Sequence, residues 1–362
     1  MLEAETLAHG ASGNAAGICG PPRDRRAGGS TSQQQAAAWF EMRRATWALH
    51  RVLAETLPTQ AGGVGYGWNP TPGVGVAVTR EEEEQARREL AVMQELGIPG
   101  ASWLTPAEMR ARFPALDGAG VRGGVLSADL EHGGAQVEPG LFTTALMRAA
   151  ERLTYGRTQV REGCKAVGLL FEGHRGDSSG QDDELLRGVL LESGEEVLGS
   201  AVALAAGPWT AETAGWFGKC SAFSLPITPL KGQILRLELP TGWSVSYHTL
   251  HSSGLMYHCK HHPELCTRDC RNLLHQPACD AAAGVSPLPH RAYRYAGHFY
   301  VAPQANREVW VGTTEEAEAG FDAAPTAEGA AHICTLLAEI STTLGELSSG
   351  IALMPLHSRM PL

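Results

Sequence analysis

The apolar positions of this chain change their period several times, and each change marks an element. From Gln33 to Leu53 they recur at helical spacing, at Trp39, Met42, Leu49, Val52 and Leu53, with Thr46 completing the stripe. Arg43, Arg44 and Arg51 fall off that stripe, so one long amphipathic helix is predicted. Gly62 to Gly75 holds six glycines and two prolines and reads as turns. Val76 to Thr79 reads as a short strand. Thr79 then caps a helix whose first turns carry Glu81 to Glu84, where carboxylates favour the positive end of the dipole. That helix stops at Gly97-Ile98-Pro99, and its acidic run reads as a solvated face. Between Leu104 and Pro114 the start and stop signals are complete: Thr105 caps, Pro106 takes the first helical position, Glu108 closes a capping box and Pro114 ends the helix. Gly120 to Ala128 reads as a strand, and Val137-Glu138-Pro139 opens a helix through Leu141, Leu146 and Ala150.

From Arg157 onward the period is that of strands. Cys164 to Leu170 and Gly188 to Glu192 flank a charged loop, 172–184, that reads as disordered. Next, Gly199 to Gly207 is an apolar run of strand length ending in Ala205-Ala206-Gly207, as in a buried parallel strand that meets a ligand. Pro208, Trp209 and Thr210 begin a helix after it. Ile227 to Glu238 continues as a strand. Phe299 to Gln304 and Glu308 to Glu316 read as antiparallel strands joined by the turn Ala305-Asn306-Arg307. Thr326 to Leu347 is a last helix, capped by Thr326, with Gly329 where a capping box wants Glu or Gln.

Composition narrows the class. With 362 residues, 43% hydrophobic and 19% charged, the chain suits a soluble globular protein of two domains. No window approaches the ~20 apolar residues of a membrane span, and no signal or transit pattern is visible at the N-terminus. A net charge of −10 argues against a nucleic-acid partner held by bulk electrostatics. Eight cysteines are too few for a disulfide scaffold, which implies a reducing compartment, the cytoplasm or an organelle interior.

Candidate chemistry begins at the first residues. Leu2-Glu3 is followed by a loop of small residues, Gly10 to Gly17, that leaves backbone amides open to close approach. Leu2-Glu3 with Ala11-Ser12-Gly13-x-x-Ala16-Gly17 resembles the end of the second strand, and the loop after it, in FAD-dependent amine oxidoreductases of the D-amino-acid-oxidase/glycine-oxidase superfamily. The same order of motifs continues through the chain. Thr105-Pro106-x-Glu108 resembles a substrate-domain helix, Val137-Glu138-Pro139 the return to the FAD domain, and Ala205-Ala206-Gly207-x-Trp209-Thr210 the second FAD contact. Pro229-x-Lys231-Gly232-Gln233, Tyr300-x-x-Pro303 and Val311-Gly312-x-Thr314 resemble strands of the substrate sheet. Gln304 stands where the family usually has Arg, and Ala352 where its terminal flavin segment has Arg.

The resemblance implies an α/β fold with an α+β second domain. A Rossmann-like FAD-binding domain would take 1–55, 136–215 and 346–362, and an interleaved substrate domain on a mostly antiparallel sheet would take 56–135 and 216–345. The FAD domain would be incomplete, because the family's first strand and Gly-x-Gly-x-x-Gly turn are expected roughly 20–30 residues ahead of Glu3. Glu3, Ala11, Ser12, Gly13, Ala16, Gly17, Ala166, Ala206, Gly207 and Trp209 are implied to bind FAD, with Glu3 accepting from the ribose hydroxyls. Lys231, Tyr300 and Thr314 are implied to face the substrate. The implied reaction is oxidation of a C–N bond of an amino acid or secondary amine, with hydride passing to the flavin.

Two constellations need weighing beside this. Between His258 and Cys279 lie His258, Cys259, His261, His262, Cys266, Cys270, His275 and Cys279, enough candidates for zinc. Cys266-x-x-x-Cys270 is not a tight knuckle and no second pair matches it, so we read 257–292 as an insertion and assign no metal. No Ser/His/Asp or Cys/His nucleophilic arrangement stands out, which flavin chemistry does not require; His132 beside Gly133-Gly134 reads as a turn residue. Two other functions stay open on sequence: a flavin-free binding or scaffold module, and a relative of tRNA-modifying flavin oxidases. Flavin absorbance separates the first, and tRNA retention at low salt the second.

Overall fold

The computed structural model describes residues 1–19, 33–71, 73–95, 97–118, 120–127, 134–173, 184–220, 226–239, 249–252, 299–303, 308–312, 314, 316 and 319–349. Of the predicted loop 172–184, residues 174–183 lie outside them, as do the Cys/His segment, His132, Gln304 with the 305–307 turn, and the tail carrying Ala352; Glu172, Gly173 and Glu184 are instead strand residues, with Glu172 paired to Leu185 and Gly173 to Glu184.

In chain order, a four-residue helix α1 (Ala11–Asn14) precedes β1 (Ile18–Cys19) and the long helix α2 (Gln33–Gln60). Helix α2 runs past Leu53 and carries Pro58 in its last turn, where Gly62 and Gly63 close it at positive φ. Strands β2 (Asn69–Pro70) and β3 (Gly73–Ala77) follow. The expectation of turns up to Gly75 is corrected here. Gly73 and Gly75 are strand residues, and the Gly75 carbonyl oxygen lies 2.5 Å from where a Cβ on Gly124 would stand. Gly124, across from them, is therefore the glycine that close strand approach requires.

Helix α3 (Arg80–Glu95) starts as predicted, with Thr79 Oγ1 accepting from Glu82 N at 3.2 Å and Glu82 returning to the Thr79 amide at 2.8 Å. Strand β4 (Ser102–Leu104) leads into α4 (Pro106–Arg112), whose Thr105/Glu108 capping box is complete. Then come β5 (Gly123–Leu126), β6 (Ala135–Gln136) and α5 (Pro139–Leu153), the last capped by the Glu138 carboxylate. Strands β7 (Ala166–Gly173), β8 (Glu184–Leu191) and β9 (Glu196–Leu198) precede a 3-10 helix, Gly207–Cys220. The chain continues through β10 (Ile234–Glu238), β11 (Thr249–Ser252), β12 (Phe299–Pro303) and β13 (Glu308–Gly312) to helices α6 (Ala327–Ile340) and α7 (Thr342–Ser349).

The predicted single last helix is thus two. Ser341, at φ −148° and ψ 107°, breaks it. Its hydroxyl accepts from Leu344 N at 3.0 Å, and Asp117 accepts from Thr342 N at 2.7 Å and from the Thr343 hydroxyl at 2.5 Å. Side chains that compete for the amides of a new first turn stop the old helix and start another.

The chain divides into two compact units. The first comprises Met1–Gly17, Ala45–Trp68 and Val137–Pro229, and the second Ile18–Arg44, Asn69–Gln136 and Leu230–Leu362. The first holds the antiparallel sheet β7-β8-β9 and an aromatic cluster in which His50 lies 5.4 Å from Phe142 and 6.3 Å from Trp68 between ring centroids. The run Ala201 to Ala206 departs from the buried strand predicted for it. It forms no ladder among the described residues, and Ala201, Ala203, Ala205 and Ala206 are exposed. Without a hydrogen-bonded ladder among the described residues, the run is not a sheet strand.

The second unit is built on a seven-stranded sheet in the order β10-β13-β12-β11-β3-β5-β4. Its pairings are antiparallel except β11 with β3. Val74, Val76, Phe299, Val301, Val309 and Val311 pack with Ile333, Leu337 and Ile340 of α6 and with Met109 of α4 in one core. Buried apolar area of this kind contributes about 25 cal/mol per Å², and it fixes the sheet that carries Lys231, Tyr300 and Thr314. Among the described residues no helix is long and apolar enough to cross a membrane.

Candidate active site

In the first unit, Leu2 forms a parallel bridge with Arg161, and backbone bonds run from Glu3 N to Arg161 O at 2.9 Å and from Cys164 N to Glu3 O at 2.8 Å. Arg161 is held in turn by a two-pronged contact with Glu195, at 2.8 and 2.6 Å. That hydrogen-bonded pair raises the Arg161 pKa and lowers that of Glu195. Glu3 is half-buried, and its Oε1 accepts from Glu5 N at 3.3 Å. Its partner Cys164 lies two positions before Ala166, the first residue of β7.

The small-residue loop follows. Ala11 and Ser12 are exposed, while Gly13 is buried, and a Cβ there would overlap the Ala8 carbonyl oxygen. Gly17 has φ +71°, and a Cβ on it would overlap the Val137 carbonyl oxygen. Its own carbonyl accepts from Val137 N at 2.9 Å. Gly13 and Gly17 are therefore required by the chain's own close approach, and Ala11, Ser12 and half-buried Ala16 carry the open side of the loop. Asn14 Nδ2 ties the turn by donating to His9 O and Gly10 O at 2.8 and 3.0 Å. Ala206 and Gly207 are exposed, Gly207 has φ +56°, and Trp209 donates its amide to Ala206 O at 3.1 Å. The 3-10 helix that they open contacts β7, the strand of Ala166.

In the second unit, Lys231 and Thr314 come together through Glu316, which the sequence reading did not single out. Lys231 and Glu316 form an isolated antiparallel bridge, and Lys231 Nζ lies 3.3 Å from Glu316 Oε2 with both side chains buried. Thr314 Oγ1 donates to Glu316 Oε1 at 2.8 Å and accepts from Gln233 N at 3.0 Å. Gln233 Nε2 donates to the same Glu316 oxygen and, at 3.0 Å, to Thr326 Oγ1. The Thr326 amide donates to Gln233 Oε1 at 2.7 Å. The signal for this cluster was legible. Lys231 and Gln233, and Thr314 and Glu316, are polar at alternate positions of two neighbouring strand segments, where a sheet interior wants apolar residues. Tyr300 lies on β12, opposite Gly312, and its phenol oxygen stands 3.0 Å from where a Gly312 Cβ would be. Burial raises its pKa. Among the described residues no group of three potential metal ligands forms.

Residues 1–262 match the profile of the FAD dependent oxidoreductase family, DAO. The chain belongs to this family. A DAO-family chain is an oxidoreductase whose cofactor is FAD, and the groups described above fit that cofactor. The Glu3 carboxylate can only accept hydrogen bonds, and its second oxygen takes none among the described residues.

Glycine oxidase from Geobacillus kaustophilus is similar in structure, with TM-score 0.65 and 20% identity over 98% of this chain and 73% of that one. Iminodiacetate oxidase from Chelativorans sp. BNC1 has TM-score 0.61 and 18% identity over 93% and 70%. L-alpha-glycerophosphate oxidase from Mycoplasma pneumoniae, with FAD bound, has TM-score 0.59 and 13% identity over 94% and 71%. At these identities the likeness is one of fold. No curated protein matches the chain by sequence.

Proposed function

We propose that this DAO-family chain oxidises a C–N bond of an amino acid or secondary amine. When bound, FAD supplies the two-electron acceptor that such a reaction needs. The chain's own part is to bind, orient and exclude water. Glu3 accepts from the ribose hydroxyls, and Ala11, Ser12 and Ala16 leave room beside Gly13 and Gly17 for close contact. Ala166, Ala206, Gly207 and Trp209 complete the cofactor side, in a domain of 1–55, 136–215 and 346–362. Lys231, Tyr300 and Thr314 face the substrate from a domain of 56–135 and 216–345.

The observation that carries this reading is the reach of the fold likeness. The family profile spans 1–262, which takes in the Glu3 loop and Lys231, and the likeness to glycine oxidase covers 98% of the chain. Iminodiacetate oxidase, a second neighbour, is named for an amine substrate. The test is to purify the 362-residue chain, add FAD, and record flavin absorbance together with dye reduction by amino acids and secondary amines. Retained flavin and amine-dependent reduction are expected. Glu3→Ala is expected to weaken FAD binding by about tenfold or more, since hydrogen bonds to a charged group contribute about 1.5–3 kcal/mol each. No retained flavin after reconstitution sinks the enzyme reading.

A further inference from the structure

The start of α5 is gripped from two sides. On one, the Val137 amide donates to Gly17 O at 2.9 Å, and Pro139 Cδ lies 3.2 Å from where a Gly17 Cβ would stand. On the other, the Glu138 amide donates to Tyr66 O at 3.0 Å. Phe142, in the first turn of α5, packs on buried Tyr66 with ring centroids 5.2 Å apart. Behind Phe142, at 5.4 Å, stands His50 of α2, its ring nearly parallel to that of Trp68. The His50 Nδ1 is buried and has no hydrogen-bond partner among the described residues. Nearby charges do not supply one. One turn either side of His50 on α2, Thr46, Trp47, Leu53 and Ala54 carry none. Beside Phe142 on α5 the acid is Glu138, whose carboxylate caps the helix through Leu141 N. The segment ending at Trp68 brings only the Tyr66 phenol.

A neutral imidazole tolerates this place, leaving one nitrogen lone pair unfilled. An imidazolium does not, because it buries an N–H with no acceptor. Cation–π attraction to Trp68 is too weak to offset this, since the ring centroids are 6.3 Å apart and the attraction matters within about 6 Å. Burial accordingly lowers the His50 pKa from its ordinary value. We propose that His50 is a proton-operated latch on the cofactor loop. Neutral, it backs Phe142 and Tyr66, so that Val137 holds Gly17. Charged, it leaves the aromatic cluster, and the loop of Ala11 to Gly17 loses its clamp. FAD is then held at neutral pH and released in mild acid. Below about pH 6.5 an exposed imidazole takes up a proton and a buried one does not. The closed latch is therefore at full strength above that pH and weakens as the pH falls toward the buried value. Its regulatory role rests on the reading of the Gly10 to Gly17 loop as cofactor-facing.

Hydrogen–deuterium exchange of the flavin-free full-length chain reads the latch directly, at about pH 7.5 and about pH 5.5, on either side of the ordinary histidine value. Each rate is divided by its intrinsic value at that pH. Protection of the Val137 and Glu138 amides is expected to fall in acid by up to about tenfold, the most that one proton allows over that range. The β8 amides of the same unit should keep theirs, and His50→Phe should keep all of it. His9→Gln is the control, since His9 lies beside the loop and its carbonyl accepts from Asn14 Nδ2; it should respond as the parent does. An unchanged parent, an equal loss in β8, a response that survives in His50→Phe, or one abolished by His9→Gln overturns the latch. Should His50→Phe not fold, His50→Gln, equally uncharged, decides in its place. Flavin retained through desalting at the same two pH values keeps the two readings apart. Retention at neutral pH and loss in acid, in the parent but not in His50→Phe, supports both. An opening latch with no flavin at either pH supports the latch and sinks the cofactor reading. Flavin held equally at both pH values supports the cofactor reading and overturns the release.

Discussion

Gly329 shows how one missing side chain organises its surroundings. Thr326 caps α6 by accepting from Gly329 N at 3.2 Å, but the residue that returns the bond to the Thr326 amide is Gln233, far away in sequence. A Cβ on Gly329 would overlap the Gln233 side-chain amide. The glycine thus gives up the helix's own capping partner and admits one from beside β10. Gly329→Ala gains about 1 kcal/mol of helix propensity. It also displaces a side-chain amide that makes three hydrogen bonds in a buried network, and a buried polar group left unpaired costs about 1–3 kcal/mol. The second effect is the larger, so a net loss of up to about 2 kcal/mol is expected in urea denaturation. Sequence alone exposed the anomaly, since a capping box wants Glu or Gln at 329, but not its resolution, because the substitute lies on a strand whose register no local pattern specifies. The same holds for Glu316. Its polarity in a strand was visible, its partners were not.

The elements themselves were legible wherever their signals were local. The Thr105/Glu108 box, the Thr79 cap and the pairing of β12 with β13 all formed as the residues predicted. The break at Ser341 was hidden because half of its cause is Asp117, which reaches the first turn of α7 from across the fold. Burial works against the Asp117 charge, but hydrogen bonds from the Thr343 hydroxyl and from the Thr343 and Thr342 amides outweigh it, and its pKa falls below the usual carboxylate value. A depressed carboxyl pKa stabilises the fold at pH above the unfolded value, about 3.9, and loses that contribution as the pH falls through the folded value. Asp117 is exposed, so solvent screens much of the effect. Asp117→Ala is therefore expected to cost about 1 kcal/mol at pH 7. The gap between variant and parent should narrow on acidification below about pH 4, in denaturation curves taken across that range.

At the scale of the whole molecule, the sequence conveyed the alternation of α/β and antiparallel segments, but the fate of Ala201 to Ala206 depended on a neighbour that no local pattern encodes. FAD acts at this scale by mass action. Free cofactor at 100 times its Kd adds about 2.7 kcal/mol to the stability of a chain that binds it only when folded. Calorimetric melting should show a rise in Tm with added FAD in the parent and about half that rise at the same concentration in Glu3→Ala, whose roughly tenfold weaker binding leaves about 1.4 kcal/mol.

The parallel junction of β3 with β11 sets a timetable for how the chain is made. Val74 pairs with Leu250, so β3 leaves the ribosome long before its partner exists. At about 5–20 residues per second, the edge of β3 stands open on the order of ten seconds or more. Until then only β5 and β4 can pair beside it, and Val74 and Val76, buried in the finished sheet, lack the α6 side of their core. Closing so long a loop late makes folding of the second unit slow. Its successful expression depends on what shields that edge during synthesis.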